Sequence, residues 1–363
     1  MDMDEIPTRL RKGRGAVSNA SSRYDSAARV RTDDGWGNDP DEDPDLPPLR
    51  THVMPDASRT VIAHNKSPDI PFDQSLNPYR GCEHGCIYCY ARPTHAYLGF
   101  SPGLDFETKL VAKFDAAAIL EKELRAKSYR CRALAMGTNT DPYQPIERKY
   151  KITRGILEVL SAYGNPVTIV TKSALVARDA DILGSMAARG LARVAISVTT
   201  LDADLARKME PRAATPSRRL GAIAKLKEAG VPVGVMVAPI IPTLTDPEME
   251  KILEAAREAG AETAGYVLLR LPLEIKDLFR EWLENHEPGR ARHVLSLIRQ
   301  SRDGKLNDPD FHSRFIGSGA YAELIEQRFH LATKRLGLNR NRWELDTSQF
   351  KPPPRAGDQL SLL

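Results

Sequence analysis

From about residue 108 to residue 271 the chain alternates short apolar runs with stretches whose apolar residues recur at helical spacing. TKLVAKF is followed by DAAAILEKELRAK, RALAMGT by ITRGILEVLSAYG, PVTIVTKS by ALVARDADILGSMAARG, LARVAISVTT by PSRRLGAIAKLKEAG, and VPVGVMVAPII by DPEMEKILEAAREAG, before a last run, AETAGYVLLRL. The short runs are rich in Val, Ile and Leu with little alternation, as strands are when both faces are covered. Repeated strand-then-helix units predict a parallel sheet with right-handed crossovers. With one further strand before residue 80 there are about six such units, and the fold class predicted is α/β, a partial (β/α)6 TIM-like barrel. Helix boundaries are marked by Asp115 as an N-cap, by Thr215 with Pro216 at the first helical position, and by Gly230 at a helix end.

Outside this region the pattern changes. Residues 1–50 are polar with few large apolar side chains, and their charges are sorted into a basic block followed by the acidic stretch DDGWGNDPDEDPDLPPLR. A segment of that kind buries too little surface to offset its ordering entropy, so a disordered tail is predicted. The barrel core is assigned to residues 51–272. LEIKDLFREWLENH, RARHVLSLIRQSR and AYAELIEQRFHLATKRLG predict a C-terminal helical region over 273–348, and residues 349–363 a flexible tail.

Composition narrows the class without naming it. The chain has 363 residues, 41% hydrophobic and 28% charged, with a formal net charge of +4. These are ordinary values for a globular protein, and the charge is too mild to indicate nucleic-acid binding by itself. MDMDEIPTRL lacks the apolar core of a secretory signal, and no stretch approaches eighteen consecutive apolar residues. A cytoplasmic protein without a membrane partner is therefore expected.

The chemistry is concentrated in RGCEHGCIYCYAR, residues 80–92, which holds three of the four cysteines at Cys82, Cys86 and Cys89. Reduced thiols so placed are metal ligands rather than a disulfide framework. Structural zinc sites normally draw on two separated ligand pairs, and no second pair exists here. His84 could complete a set only by taking four ligands from eight consecutive residues. Bacterial ferredoxin runs use two-residue spacings and a fourth cysteine. A cube held by three cysteines would leave one iron open to a substrate or cosubstrate. The alternative is a zinc-stabilised protein whose basic segments, such as 207–230 with Arg212 and Arg219, contact nucleic acid; on their own, those arginines read as a charged helix surface.

Cys-x-x-x-Cys-x-aromatic-Cys after the first strand of a βα series resembles the signature of the radical S-adenosylmethionine (radical SAM) superfamily. GTNTDPYQPIE, VTIVTKS and AISVTT are similar to its spore photoproduct lyase-like branch over roughly residues 70–245. The resemblance implies a [4Fe-4S] cluster on Cys82, Cys86 and Cys89, with S-adenosylmethionine on the fourth iron. It implies reductive cleavage to a 5′-deoxyadenosyl radical that abstracts hydrogen, with the electron supplied by a donor such as reduced flavodoxin or ferredoxin. It also implies that Tyr88 packs near the adenine and that Gly137, Thr138, Asn139 and Thr140 meet the cosubstrate. Lys172 would face its carboxylate, and Ser197 would bind it as well. Tyr90 occupies the position of a tyrosine that takes part in radical transfer; it and Asp141 are the candidate catalytic residues. Tyr143, Gln144 and Glu147 join Asp141 as candidates for positioning substrate. Nucleic acid is the substrate class suggested by analogy, with peptides and small molecules left open. One departure stands out. Where the lyases carry a hydrogen-returning cysteine, this chain has Thr138 and Asn139. Cys131, about six residues and roughly 20 Å away by strand rise, is expected to be buried and inert.

Overall fold

The computed structural model describes residues 10–25, 49–341 and 343–354. Six parallel strands form in chain order: β1 (Gln74–Leu76), β2 (Leu134–Met136), β3 (Val167–Thr171), β4 (Ala192–Ser197), β5 (Val233–Ile240) and β6 (Thr263–Leu268). Each pairs with the next in sequence, Gln74 beside Leu134, Leu134 beside Val167, Val167 beside Ala192, Val194 beside Val233 and Gly234 beside Thr263. The strand Ile62–His64 runs antiparallel to β1 and forms one edge of the sheet, with β6 at the other. The barrel therefore stays open along one seam, as the partial (β/α)6 reading requires.

The crossover helices lie outside the sheet. Ile152–Tyr163 turns Ile152, Ile156, Leu157, Leu160 and Tyr163 inward at helical spacing and stops at Gly164 in the left-handed conformation. Thr215 and Pro216 begin Pro216–Glu228 as the sequence predicts, although the Thr215 hydroxyl makes no capping bond; nor does the Asp115 side chain before Ala116–Leu124. Gly319–Leu336 packs beside Met249–Glu258 and sets Phe329 4.7 Å from Tyr266 of β6, the place of a sixth barrel helix.

Three sequence expectations are corrected. TKLVAKF forms a strand, Lys109–Ala112, but it joins a separate three-stranded sheet, parallel to His52–Pro55 and antiparallel to Tyr79–Arg80. Local pattern identifies a strand; only its non-local partners decide the sheet. Residues 10–25, within the expected disordered tail, are packed: Ala16 and Val17 are buried, and Gly15 and Ala16 donate their N–H groups to Glu107 at 3.0 and 2.8 Å. Residues 1–9 and 26–48 of that tail lie outside the described residues. At the other end, Lys351 donates to the Tyr163 carbonyl at 2.9 Å and Phe350 packs 5.3 Å from Tyr129, so the start of the expected flexible tail is held down as well. Residues 355–363 lie outside the description.

The remaining C-terminal helices do more than cover the barrel. Ile275–His286 and Ala291–Gln300 place Phe279, Trp282, Leu283, Val294 and Ile298 in one apolar cluster with Cys86, Ile87 and Tyr88. Trp282 also donates its indole N–H to the Lys208 carbonyl at 3.1 Å. The floor of the cysteine loop is thus built by the distant end of the chain.

Candidate active site

The cysteine loop leaves the C-terminal end of β1, where βα folds carry their functional groups. Cys82 and Cys86 are buried and Cys89 half-buried. The backbone is held at several points. Gln144 accepts from the Glu83 N–H at 2.8 Å and donates to the Gly81 carbonyl at 3.2 Å, bracketing Cys82. Arg92 is fully buried and uses all five of its N–H donors: on the carbonyls of Cys86 (2.8 Å), Gly85 (3.0 Å), Pro102 (3.1 Å) and Gly103 (2.9 Å), and on Glu107 at 2.6 Å. Buried carbonyls need partners, and one guanidinium here satisfies four.

The thiol trio fits an iron-sulfur cluster by the chemistry of its donors. Burial pushes the Cys82 and Cys86 thiols well above their ordinary range; Asp141 and the other two cysteines add to this at Cys82, and Glu210 adds to it at Cys86 against the pull of Lys172 and Arg219. Such thiols become thiolates only alongside compensating positive charge, which an iron cluster brings. Among the described residues no group of three or more His, Cys, Asp or Glu side chains is arranged to hold a single metal ion. A cluster asks instead for separate thiolates on separate irons, and this loop offers three.

Around the trio stand the strand ends. Gly137, after β2, has φ +86°, and a Cβ there would lie 1.9 Å from the Val170 carbonyl oxygen, so this close approach of β2 to β3 admits only glycine. Asn77, which the sequence reading did not single out, organises the next turn: it donates to the Thr138 hydroxyl at 3.2 Å and accepts from the N–H groups of Asn139 (3.0 Å) and Thr140 (3.3 Å). The Thr140 hydroxyl donates to the Tyr79 carbonyl at 3.0 Å, leaving only lone pairs for a ligand. The Lys172 ammonium lies 5.6 Å from the centre of the Tyr88 ring. Ser197 is buried at the end of β4, its carbonyl taken by Arg219 at 3.1 Å.

Asp141 ties three segments together. It accepts from the Thr171 hydroxyl (2.7 Å), the Lys172 N–H (2.8 Å) and the Tyr143 N–H (2.8 Å), and faces His84 Nδ1 at 3.3 Å. Burial alone would raise its carboxyl; the charge and hydrogen bond of His84, with the bonds from Lys172 and Thr171, outweigh burial and bring it down to about 2. With both oxygens engaged it acts as a brace between the β2 end, the β3 end and the cysteine loop. Tyr143, Gln144 and Glu147, expected to position substrate, are all fully buried: Glu147 accepts from Tyr79 (2.5 Å) and Arg178 (2.9 Å) and supports the loop from behind. Tyr90, by contrast, stays 45% exposed, with its hydroxyl on the Thr138 carbonyl and its ring 4.9 Å from the Arg270 guanidinium. Desolvation of the hydroxyl and the adjacent Cys89 push it up to about 12.

A buried network went unread in the sequence. Glu210 accepts from Tyr88, from the Thr199 hydroxyl at 2.7 Å and from Arg219. Arg219 is therefore no surface residue: it is buried, and its position on the inward face of Pro216–Glu228 was the signal available. Arg212 is exposed and pairs with Glu83 at 3.1 Å. Cys131 is half-buried, three residues before β2, with Asn165 Oδ1 3.4 Å from its sulfur and its thiol raised to about 11 by burial.

An open six-stranded parallel barrel with a three-cysteine loop after its first strand defines a class, and this chain belongs to the radical SAM superfamily. The superfamily pattern matches residues 76–256. Its members use S-adenosylmethionine and an iron-sulfur cluster, need a reductant and are enzymes. An uncharacterised protein of Mycobacterium tuberculosis strain H37Rv is 40% identical over 243 residues, 66% of this chain and 72% of the relative. A Methanocaldococcus jannaschii protein, also uncharacterised, is 28% identical over 214 residues, 59% of this chain and 76% of its own. Among solved structures, a spore photoproduct lyase complexed with dinucleoside spore photoproduct matches with a TM-score of 0.56 at 17% identity, covering 79% of this chain and 80% of that one. The likeness to that lyase is one of fold.

Proposed function

We propose that Cys82, Cys86 and Cys89 hold a [4Fe-4S] cluster that presents S-adenosylmethionine to a substrate other than the spore photoproduct. When bound, that group supplies one electron to the sulfonium, releasing methionine and a 5′-deoxyadenosyl radical that abstracts hydrogen. The observation that carries the reading is the cysteine loop itself, three thiols pinned at the barrel mouth by Gln144 and Arg92 beside the Lys172 ammonium.

The chain's own residues then orient and exclude. Lys172 offers a compact cation to the carboxylate of the cosubstrate. Gly137 lets its backbone approach, Ser197 and the Thr138–Thr140 turn supply polar contacts, and Tyr88, held by Glu210, gives an apolar ring wall. The apolar cluster under Cys86 keeps water from the reacting centre. Tyr90 follows Cys89 directly and is exposed, and we assign it to the path of the radical, with Asp141 as the brace of the neighbouring strand ends. Thr138 and Asn139 cannot return hydrogen as a thiol does, which is why repair of the spore photoproduct is not the activity proposed. Nucleic acid, the ligand class of the structural neighbour, remains the first class to screen.

Anaerobic reconstitution tests the reading. The expected product is a brown protein with about four irons that yields 5′-deoxyadenosine under strong reductant. Cys86→Ala abolishes that cleavage, whereas Cys131→Ala leaves it nearly intact. A colourless protein with one zinc, or equal losses in both variants, overturns it.

A further inference from the structure

The barrel's open seam is bridged on its rim by an arginine between two aromatic rings. Arg270 lies two residues past the end of β6, the edge strand, and Tyr90 one residue past Cys89. The Arg270 guanidinium sits 4.9 Å from the Tyr90 ring and 5.1 Å from the Phe315 ring. Tyr90 in turn is bound to the Thr138 carbonyl at the end of β2, so the stack links the cysteine loop to the far edge of the sheet.

Arg92, Arg219, Arg302 and Arg314 each have acceptors. Arg92 has Glu107 and four carbonyls. Arg219 has Glu210. Arg302 donates to the carbonyls of Leu268 (2.9 Å), Leu269 (3.0 Å) and Arg314 (3.2 Å). Arg314 forms a two-point pair with Asp69 at 2.7 and 2.6 Å. Arg270 is half-buried, yet among the described residues it makes no ion pair and no hydrogen bond. Its guanidinium lies against two rings, and its five N–H donors are free of protein acceptors among the described residues. A guanidinium partly stripped of water, charged and unsatisfied is costly on its own and ready to receive a two-oxygen anion in its plane.

We propose that Arg270 recognises an oxyanion on the substrate, a phosphate or a carboxylate, and so sets specificity at the seam beside the cysteine loop. This rests on the radical SAM reading for what happens next, but not for the binding itself. Charge alone would be met by lysine; a flat ion held between two rings calls for arginine.

The test is calorimetric titration of anaerobically reconstituted protein with pyrophosphate and, separately, with citrate, each with and without saturating S-adenosylmethionine. One of the two anions is expected to bind at a single site and to keep binding when the cosubstrate is present; which one binds distinguishes a phosphoryl from a carboxylate substrate. Arg270→Gln should weaken that binding at least tenfold. Arg270→Lys, which keeps the charge, should recover part of it, and Arg280→Gln, on an exposed helix face, should bind like the wild type. Three results overturn the proposal: no binding of either anion, equal binding by wild type and Arg270→Gln, or displacement of the anion by S-adenosylmethionine, which would give Arg270 to the cosubstrate. No turnover is measured, so a protein that binds the anion through Arg270 but never cleaves S-adenosylmethionine would sink the function reading alone.

Discussion

Arg92 and Glu107 form an ion pair with no exposed side-chain surface, three and eighteen residues after Cys89. Buried pairs of this kind gain little over an apolar substitute, but losing one partner strands the other charge in a low-dielectric interior. Glu107 also accepts the N–H groups of Gly15 and Ala16, so its carboxylate serves two segments at once. Glu107→Gln keeps the shape and removes the charge. The expected outcome is a loss of about 3–5 kcal/mol in denaturant unfolding, accompanied by poorer iron retention on gel filtration. Unchanged stability would mean that the pair is not formed in solution. At this scale the three cysteines were legible because ligand spacing is a local property. Asp141 was singled out from the sequence, but its bracing role was not, since all but one of its partners lie on other segments; Glu210 was missed and Arg219 was read as a surface arginine because their pairing exists only after the loop before Pro216–Glu228 folds back under Tyr88.

At the scale of elements, the segment 10–25 behaves as a strap across the outside of the cysteine loop. A Cβ at Gly15 would fall 1.9 Å from the Gly85 carbonyl oxygen, and neither backbone can yield without breaking the bonds to Glu107 or Arg92. Further along, Asn19 and Asp105 exchange two hydrogen bonds at 3.1 and 2.9 Å, and Arg23 pairs with Glu274 at 2.9 Å. Gly15→Val should lift the strap without unfolding the barrel. Limited proteolysis is expected to cut within residues 10–25 of the variant at least several-fold faster than in the wild type, while the melting of the core changes little. Equal cleavage rates would place the strap free of the loop. Local patterning does not announce this element because its cohesion comes from backbone N–H groups meeting a distant carboxylate, not from hydrophobic periodicity. The helices Ile152–Tyr163 and Pro216–Glu228, whose cohesion is periodic apolar burial, were plain from the start.

For the whole molecule the seam matters most. Asp69, in the loop before β1, accepts from Arg314 at two points and from the His312 N–H at 2.9 Å, which ties the segment following Ala291–Gln300 to the opposite edge of the sheet. Asp69→Asn is expected to raise amide hydrogen exchange across residues 307–317 with little change in β2 to β5. Protection that stays the same would show that contacts other than this ion pair, such as those of the Phe315 ring with Arg270 and Arg314, hold the seam. By itself the sequence determined the βα repeat and the three thiols, because strand and helix periods and ligand spacing act over a few residues. Tertiary structure alone decided that Lys109–Ala112 leaves the barrel, that the C-terminal helices floor the cysteine loop, that residues 10–25 close over it and that Arg270 faces Tyr90 across the seam. Each of those outcomes joins groups tens to hundreds of residues apart, and their gain in burial and hydrogen bonding appears only once the chain between them has folded.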